Sequence, residues 1–258
     1  MTRRDLLAHT ARNLALWPAF SHEGKLTMLI DPLEQQPEAS LPTYRCPKVE
    51  AFRPDGNLLK NVWRHAPAVR LVSATGKPQR LQPTRLRACW SEARLYVAFD
   101  CADRELHCTY THRDDPLYDE DVVEVFLGLS SDLRHYIELE FNAKETIFDA
   151  LITNSDKTGK RIVGDKGWNC NGLECRAKLH TRTQGGSEAL MAWSVEAAIP
   201  FAGLGVSAPS VGDRWRANFY RIEYSAPTEY SAWSPTLAVP ANYHVPDRFG
   251  WLEFSGKA

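Results

Sequence analysis

The sequence predicts an all-β fold, an antiparallel, jelly-roll-like β-sandwich preceded by a short helical or irregular N-terminal extension. Three observations carry that expectation. From Tyr44 onward, short runs rich in β-branched and aromatic residues recur, separated by Gly, Pro, Asn and Asp. In the clearest of these runs apolar and polar side chains alternate with period two, as the two faces of a strand require. Helical patterns do not alternate with the runs, which argues against a parallel sheet built from βαβ units. With 258 residues, 43% hydrophobic and 24% charged, the chain can bury a sizeable core and has the composition of a folded protein.

Residues 1–43 read as an extension flanking a domain over 44–258. Thr2-Arg3-Arg4-Asp5-Leu6-Leu7 superficially resembles a twin-arginine export signal, but His9, Arg12 and Asn13 interrupt the apolar stretch that export needs. Leu6, Leu7, Thr10, Leu14 and Trp17 fall at helical spacing and predict a short amphipathic helix, so a cytoplasmic location is favoured over export. An apolar run at Leu26–Ile30 and a Pro/Glu-rich arm from Asp31 to Pro42 follow. Strands are then expected at Thr84–Trp90, Arg94–Asp100, Asp121–Leu127, Arg134–Phe141, Thr146–Ile152, Leu173–His180, Ala189–Ala198, Arg214–Tyr224 and Arg248–Phe254.

Asp121–Leu127 and Arg134–Phe141, joined across Gly128–Asp132, read as a hairpin. Alternation puts Val123, Val125, Leu127, Ile137, Leu139 and Phe141 on the core face, and Glu124, Tyr136, Glu138 and Glu140 on the other. Carboxylates gathered on one face repel one another unless a basic group, a metal ion or a hydroxyl-rich ligand compensates. A solvated outer face with Lys or Arg opposite is the simpler alternative.

The 31 basic and 32 acidic residues leave a net charge of −1, so nothing in the charge balance suits nucleic acid or an anionic membrane, and no apolar run is long enough to span one. Six cysteines without C-x-x-C spacing make a zinc site improbable on pattern; Cys89 and Cys101 read as buried free thiols, and Cys170 and Cys175 as a pair that could close a short loop. Eight Trp is a generous number, and Trp90, Trp193, Trp215 and Trp251 fall within strands as packing residues, whereas Trp233 stands in a loop beside Ser234-Pro235 and is a candidate to line a site.

Several motifs occur in order: Trp63; Thr84–Trp90 followed by Leu95-Tyr96-Val97-Ala98-Phe99 and Asp103; Tyr118 with Asp121-Val122-Val123-Glu124-Val125-Phe126; Trp193-Ser194-Val195-Glu196 with Ile199-Pro200-Phe201; Gly212–Arg221; Trp233-Ser234-Pro235; and Pro246 with Phe249-Gly250. Together, from Asp55 to Phe254, they resemble the family 9 carbohydrate-binding modules and their stand-alone relatives in the DOMON-like superfamily. The resemblance implies a non-catalytic β-sandwich that binds a mono- or oligosaccharide between two aromatic rings on loops at one end. Carried over by position, the rings fall on Tyr118 and Tyr243, both Tyr where the family looks Trp-like, and the acceptor carboxylate falls on Glu124. Glu138 joins Glu124 as a hydroxyl acceptor through the acidic face. The family's basic contact finds no match, its nearest position being Ile137 or Glu138. Arg221 is the substitute candidate, with an ion pair to Glu223 or Glu138 as its structural alternative.

Other function classes find less support. The dense carboxylates Asp114, Asp115, Asp119, Glu120, Asp121 and Glu124 would suit an acid–base pair only at a defined separation, and calcium only with an oxygen-rich loop; no EF-hand spacing occurs and no other cofactor is implied. Gly203-Leu204-Gly205 is followed by Pro209 and opens no dinucleotide-binding helix, and the eight histidines form no H-E-x-x-H. Haem, which related sandwiches bind through Met and His, would have only Met28 and Met191 beyond the initiator, and Met191 reads as a core residue. A sandwich that has lost its ligand and serves as an interaction module is the remaining alternative.

Overall fold

The computed structural model describes residues 41–184 and 187–257. The expected amphipathic helix and nearly all of the 1–43 extension lie outside the described residues, as does Met28. The described residues form fourteen strands: β1 Thr43–Lys48, β2 Val69–Arg70, β3 Val72–Ser73, β4 Thr84–Trp90, β5 Arg94–Ala102, β6 Val122–Gly128, β7 His135–Phe141, β8 Ile147–Asn154, β9 Ile162–Asp165, β10 Glu174–Gln184, β11 Ser187–Pro200, β12 Arg214–Glu223, β13 Glu229–Ala232 and β14 Gly250–Lys257. All nine strands read from the sequence are present with small shifts at their ends. β1, β2, β3, β9 and β13 were not anticipated; four of these five are only two to four residues long or exposed along their length, too short to display alternation, and β1 is interrupted by Pro47. Helical structure among the described residues is confined to single 3₁₀ turns at Asn61–Arg64, Leu117–Asp119 and Pro246–Arg248, and none of it could cross a membrane.

The main hydrogen-bonded path runs β10-β11-β5-β4-β1-β14-β12-β6-β7-β8-β9. β1 is its pivot, pairing in parallel with both β14 and β4, while the flanking pairs are antiparallel. The path folds over so that Leu86, Val97, Phe99 and Val195 of the β4–β5–β11 side share one core with Val123, Val125, Leu139, Phe219 and Phe254 of the β6–β7–β12–β14 side. The sandwich is thus a two-layer β structure closed around alternating inward residues. Val123, Val125, Leu127, Ile137, Leu139 and Phe141 all lie in this core, as alternation requires.

Phe249-Gly250 shows why one motif glycine is needed. A Cβ at Gly250 would stand 2.4 Å from the Trp233 ring and 2.7 Å from the Pro42 carbonyl oxygen, which itself accepts a hydrogen bond from the Trp251 N–H at 2.8 Å. Neither the buried indole nor the paired backbone has room to give. Gly250→Ala is therefore expected to lower stability by about 1–3 kcal/mol through overpacking, read as a lower midpoint in urea with an unchanged slope.

The six cysteines are free thiols, all buried except the partly buried Cys108, so Cys170 and Cys175 form no loop-closing disulfide. Met191 is not a core residue: on β11 it points outward and is exposed. Trp90 and Trp193 are core residues, whereas Trp215 and Trp251 are half-buried, Trp251 lying under the guanidinium groups of Arg214 and Arg216 at 4.5 and 4.9 Å.

Candidate functional site

The face of β6, β7 and β12 opposite the main core is where the acidic side chains gather. Register explains it. Glu124 pairs with Tyr220 on one side and Glu140 on the other, and Glu140 in turn pairs with Phe148, so one row across β12-β6-β7-β8 reads Tyr220, Glu124, Glu140, Phe148. The next row reads Asn218, Phe126, Glu138, Ala150. Like charges directly opposite across a ladder are unfavourable, and Glu138 adds a third from the adjacent row.

This face is neither open nor solvated. A second hydrophobic cluster covers it, with Leu117, Val122, Phe126, Tyr136, Phe148, Ile152, Tyr220, Ile222, Tyr243 and Phe249 as members. Glu124, Glu138 and Glu140 are 2%, 6% and 0% exposed, and oxygens of the three all lie within 4.8 Å of one another. Among the described residues this is the group of carboxylates placed to surround one cation. Both oxygens of Glu140 are buried without a hydrogen-bond partner. Burial pushes all three carboxyls up, Glu138 to about 7 and the other two well beyond the ordinary range, with mutual repulsion adding to Glu124 and Glu140. The neighbouring Glu140 and the nearby Lys166 ammonium draw Glu138 back down.

The surroundings supply little positive charge. His244 Nε2 is 3.9 Å from Glu138, but burial pushes its imidazole down to about 4, so it is neutral at pH 7. Its Nδ1 is hydrogen-bonded to the Tyr136 hydroxyl at 2.7 Å, and Asn154 donates to the His244 carbonyl at 2.9 Å, which fixes that segment over the face. At the rim, Tyr118 is 42% exposed with its ring edge-on to Phe148 at 5.8 Å. The exposed Lys166 ammonium sits over both rings, 5.4 Å from Tyr118 and 5.0 Å from Phe148. The arrangement is thus an exposed Tyr118 ring beside Phe148 and Lys166, at the edge of a face whose three carboxyls are buried.

The acidic stretch before β6 has another use. Asp115 accepts from the Thr111 and His112 N–H groups, Glu120 from Thr109, and Asp121 from the His107 and Tyr224 N–H groups, so these carboxylates pin the loop that carries Tyr118.

The model of carbohydrate-binding family 9 matches residues 79–254. The chain belongs to carbohydrate-binding family 9. A search of curated proteins finds no match. Solved structures similar to this family 9 chain include a candidate carbohydrate-binding protein from Bacteroides uniformis, 16% identical with a TM-score of 0.65, covering 84% of this chain and 100% of that one. Two further structures are of a family 9 module from Caldicellulosiruptor kristjanssonii, one in complex with cellotriose and one with glucose, each 15% identical and covering 84% of this chain. Their TM-scores are 0.56 and 0.55, over 95% and 97% of those chains. At these identities the likeness is one of fold.

Within this family 9 fold the residues expected from the sequence separate into two groups. Glu124 and Glu138 come together on one face, with Tyr118 at its rim. Arg221, Trp233 and Tyr243 are packing residues. Arg221 points to the opposite side of β12, where it pairs with Asp103 at 3.0 Å and approaches Asp121 at 4.0 Å, not Glu223 or Glu138. Trp233 is buried in the main core against Tyr44 and Phe219. Tyr243 is buried too: its ring stacks on Tyr220 at 4.0 Å and 13°, and its hydroxyl donates to the Arg221 carbonyl at 2.6 Å, leaving no free face for a second clamp ring. Glu140, Phe148, Lys166 and His244 were not singled out as site residues. For Glu140 the signal existed, since alternation aligned it with Glu124 and Glu138; the others reach the site through cross-strand register and loop cover, which no local pattern displays.

Proposed function

We propose that this protein binds a mono- or oligosaccharide at the β6–β7–β8 face, without catalysing a reaction on it, with Tyr118 as the stacking ring and Glu138, backed by Glu124 and Glu140, as the hydroxyl acceptor. The observation that carries this reading is the exposed Tyr118 ring at the rim of a buried acidic floor. A sugar presents an apolar C–H face to an aromatic ring and hydroxyl donors to carboxylates, and this rim and floor offer both at once. Family membership supports it, as do the glucose and cellotriose complexes of the similar Caldicellulosiruptor module. One ring rather than a two-ring clamp implies modest affinity.

Calorimetric titration of the full-length protein with D-glucose and cellotriose is the direct test, and absence of heat from either sugar at millimolar concentration would overturn the reading. Tyr118→Ala is expected to weaken binding by about 1–3 kcal/mol, roughly five- to 150-fold in Kd, while leaving the melting temperature unchanged, because the turn is anchored by the buried Leu117 and not by the exposed ring. Loss of stability with unchanged affinity would make Tyr118 a packing residue instead.

A further inference from the structure

We propose that a cavity lined by Arg70, Arg80 and Arg104 is a second binding site, for a small molecule that carries a carboxylate or phosphate group. It shares no lining residue with the Tyr118 rim and does not depend on the sugar-binding reading above. The cavity measures about 700 Å³, a volume in the range of small-molecule sites. The loop over residues 77–83, between β3 and β4, builds one wall. Pro78 and Pro83 lack the N–H that a helix or a ladder would use, so this segment stays irregular. Its far end is pinned: the Gln82 N–H donates to the Glu229 carboxylate at 2.5 Å, and the Pro83 carbonyl accepts from the Ala102 N–H at 2.9 Å. Arg104 follows the end of β5, Arg70 comes from β2 and Arg80 from the loop, so three separate segments each send one guanidinium to the same cavity.

The charges around the cavity are out of balance. Among the described residues these three arginines form no ion pair and no side-chain hydrogen bond, whereas Arg94, Arg113 and Arg134 each find a carboxylate at 2.6–2.9 Å. Glu229 is the one acidic residue of the lining, and it is committed to the Gln82 N–H and stands opposite Glu223 in the β12–β13 ladder. A second observation points the same way. Arg70 stands directly opposite Arg85 in the β2–β4 ladder, an unfavourable pairing of like charges, and the carboxylate nearest Arg85, that of Asp100, is 3.9 Å away. An oxyanion in the cavity would offset that repulsion. A guanidinium carries five donors in a planar fork and no acceptor, which matches two oxygens of a carboxylate or phosphate and suits neither a cation nor an acceptor-poor group. The remainder of such a ligand has room beside the arginines. A neighbouring hollow of about 480 Å³ shares Arg70, Gln79 and Leu81 with the cavity and is walled by Val72, Pro78 and Pro235.

The test is calorimetric titration of the full-length protein at low ionic strength and neutral pH, with inorganic phosphate, D-glucuronate and D-glucose 6-phosphate as separate probes and D-glucose as the neutral control. At least one of the three oxyanions is expected to bind, and to bind more weakly as salt is added. Whichever of D-glucuronate and D-glucose 6-phosphate binds more tightly identifies the anionic group. Arg70→Gln, Arg80→Gln and Arg104→Gln are each expected to weaken that binding by about 10–100-fold, the worth of a charge-assisted hydrogen bond, while leaving D-glucose and the melting temperature unchanged, since all three side chains are exposed. Arg134→Gln, which removes an exposed arginine outside the cavity, is expected to leave oxyanion affinity within about twofold. No heat from any oxyanion at millimolar concentration would overturn the proposal. An equal loss in Arg134→Gln would reduce the effect to net charge and overturn it as well. Loss of oxyanion binding in Tyr118→Ala, with the cavity arginines dispensable, would place these probes at the sugar site and overturn the second site alone.

Discussion

Replacing Arg221 with Met is expected to cost about 3–5 kcal/mol of stability, because it removes one partner from a buried charge network and strands the others. The guanidinium donates to Asp103 at 3.0 Å, to the Ala102 carbonyl at 2.8 Å and to the Thr84 hydroxyl at 3.1 Å, and lies 4.0 Å from Asp121. Asp103 also accepts the Trp193 indole N–H at 3.1 Å, so one side chain of β12 ties together β4, the end of β5 and β11. With Arg221 gone, two buried carboxylates face each other without a cation, and the Ala102 carbonyl loses its side-chain donor. Burial already pushes Asp121 up to about 6, with repulsion from Asp103 adding to it and the Arg221 charge opposing it, so the variant would drive Asp121 further in that direction. Urea unfolding at pH 7 measures the loss; a change under about 0.5 kcal/mol would mean that the network contributes nothing net. Since Arg221 lies on the opposite side of β12 from the acidic floor, the folded fraction of the variant should keep its sugar affinity.

The second large effect concerns pH. Glu124, Glu138 and Glu140 each hold a proton more tightly in the folded than in the unfolded chain. Their contribution to stability is fully present below the ordinary Glu value of 4.5 and is lost as pH rises through about 7 for Glu138 and further for the other two. His244 acts in the opposite sense, its lowered value costing stability as pH falls from 6.5 toward about 4. Stability is therefore expected to decline from mildly acidic to alkaline pH. Glu138→Gln should remove the Glu138 share of that decline, raising stability at pH 8 by on the order of 3 kcal/mol and changing it little at pH 4.5. Glu124, Glu140 and Asp121 are still present in the variant and contribute in the same sense, so part of the decline should remain. Melting curves of both proteins between those pH values measure the difference, and parallel profiles would mean that the triad does not titrate there.

Alternation within β6 and β7 determined which residues of the hairpin enter the core and which share the acidic face, and both faces appear as read. That succeeds because the period of two is a local property of an extended chain, independent of what packs on either side. The same rule applied to β12 was available for Arg221: it stands in phase with Ala217 and Phe219, both core residues, and out of phase with Tyr220 and Ile222, which face the acids. Trp233 and Tyr243 were legible as loop residues, but these loops turn inward, and the Ser234-Pro235 neighbourhood carries no periodicity to say so.

The nine longer strands, the core face of the hairpin and the family motifs were thus determined by the sequence on its own, since each depends on residue type and short-range spacing. What only the tertiary structure decided is non-local. The direct opposition of Glu124 and Glu140, the parallel insertion of β1 between β14 and β4, and the cover that Tyr243, His244 and Phe249 place over the acidic face all join residues far apart in the chain. Cross-strand register and burial are set by the summed packing of both layers. That is why three carboxylates read as a face in the sequence become a closed, mutually repelling cluster only once the sandwich is assembled.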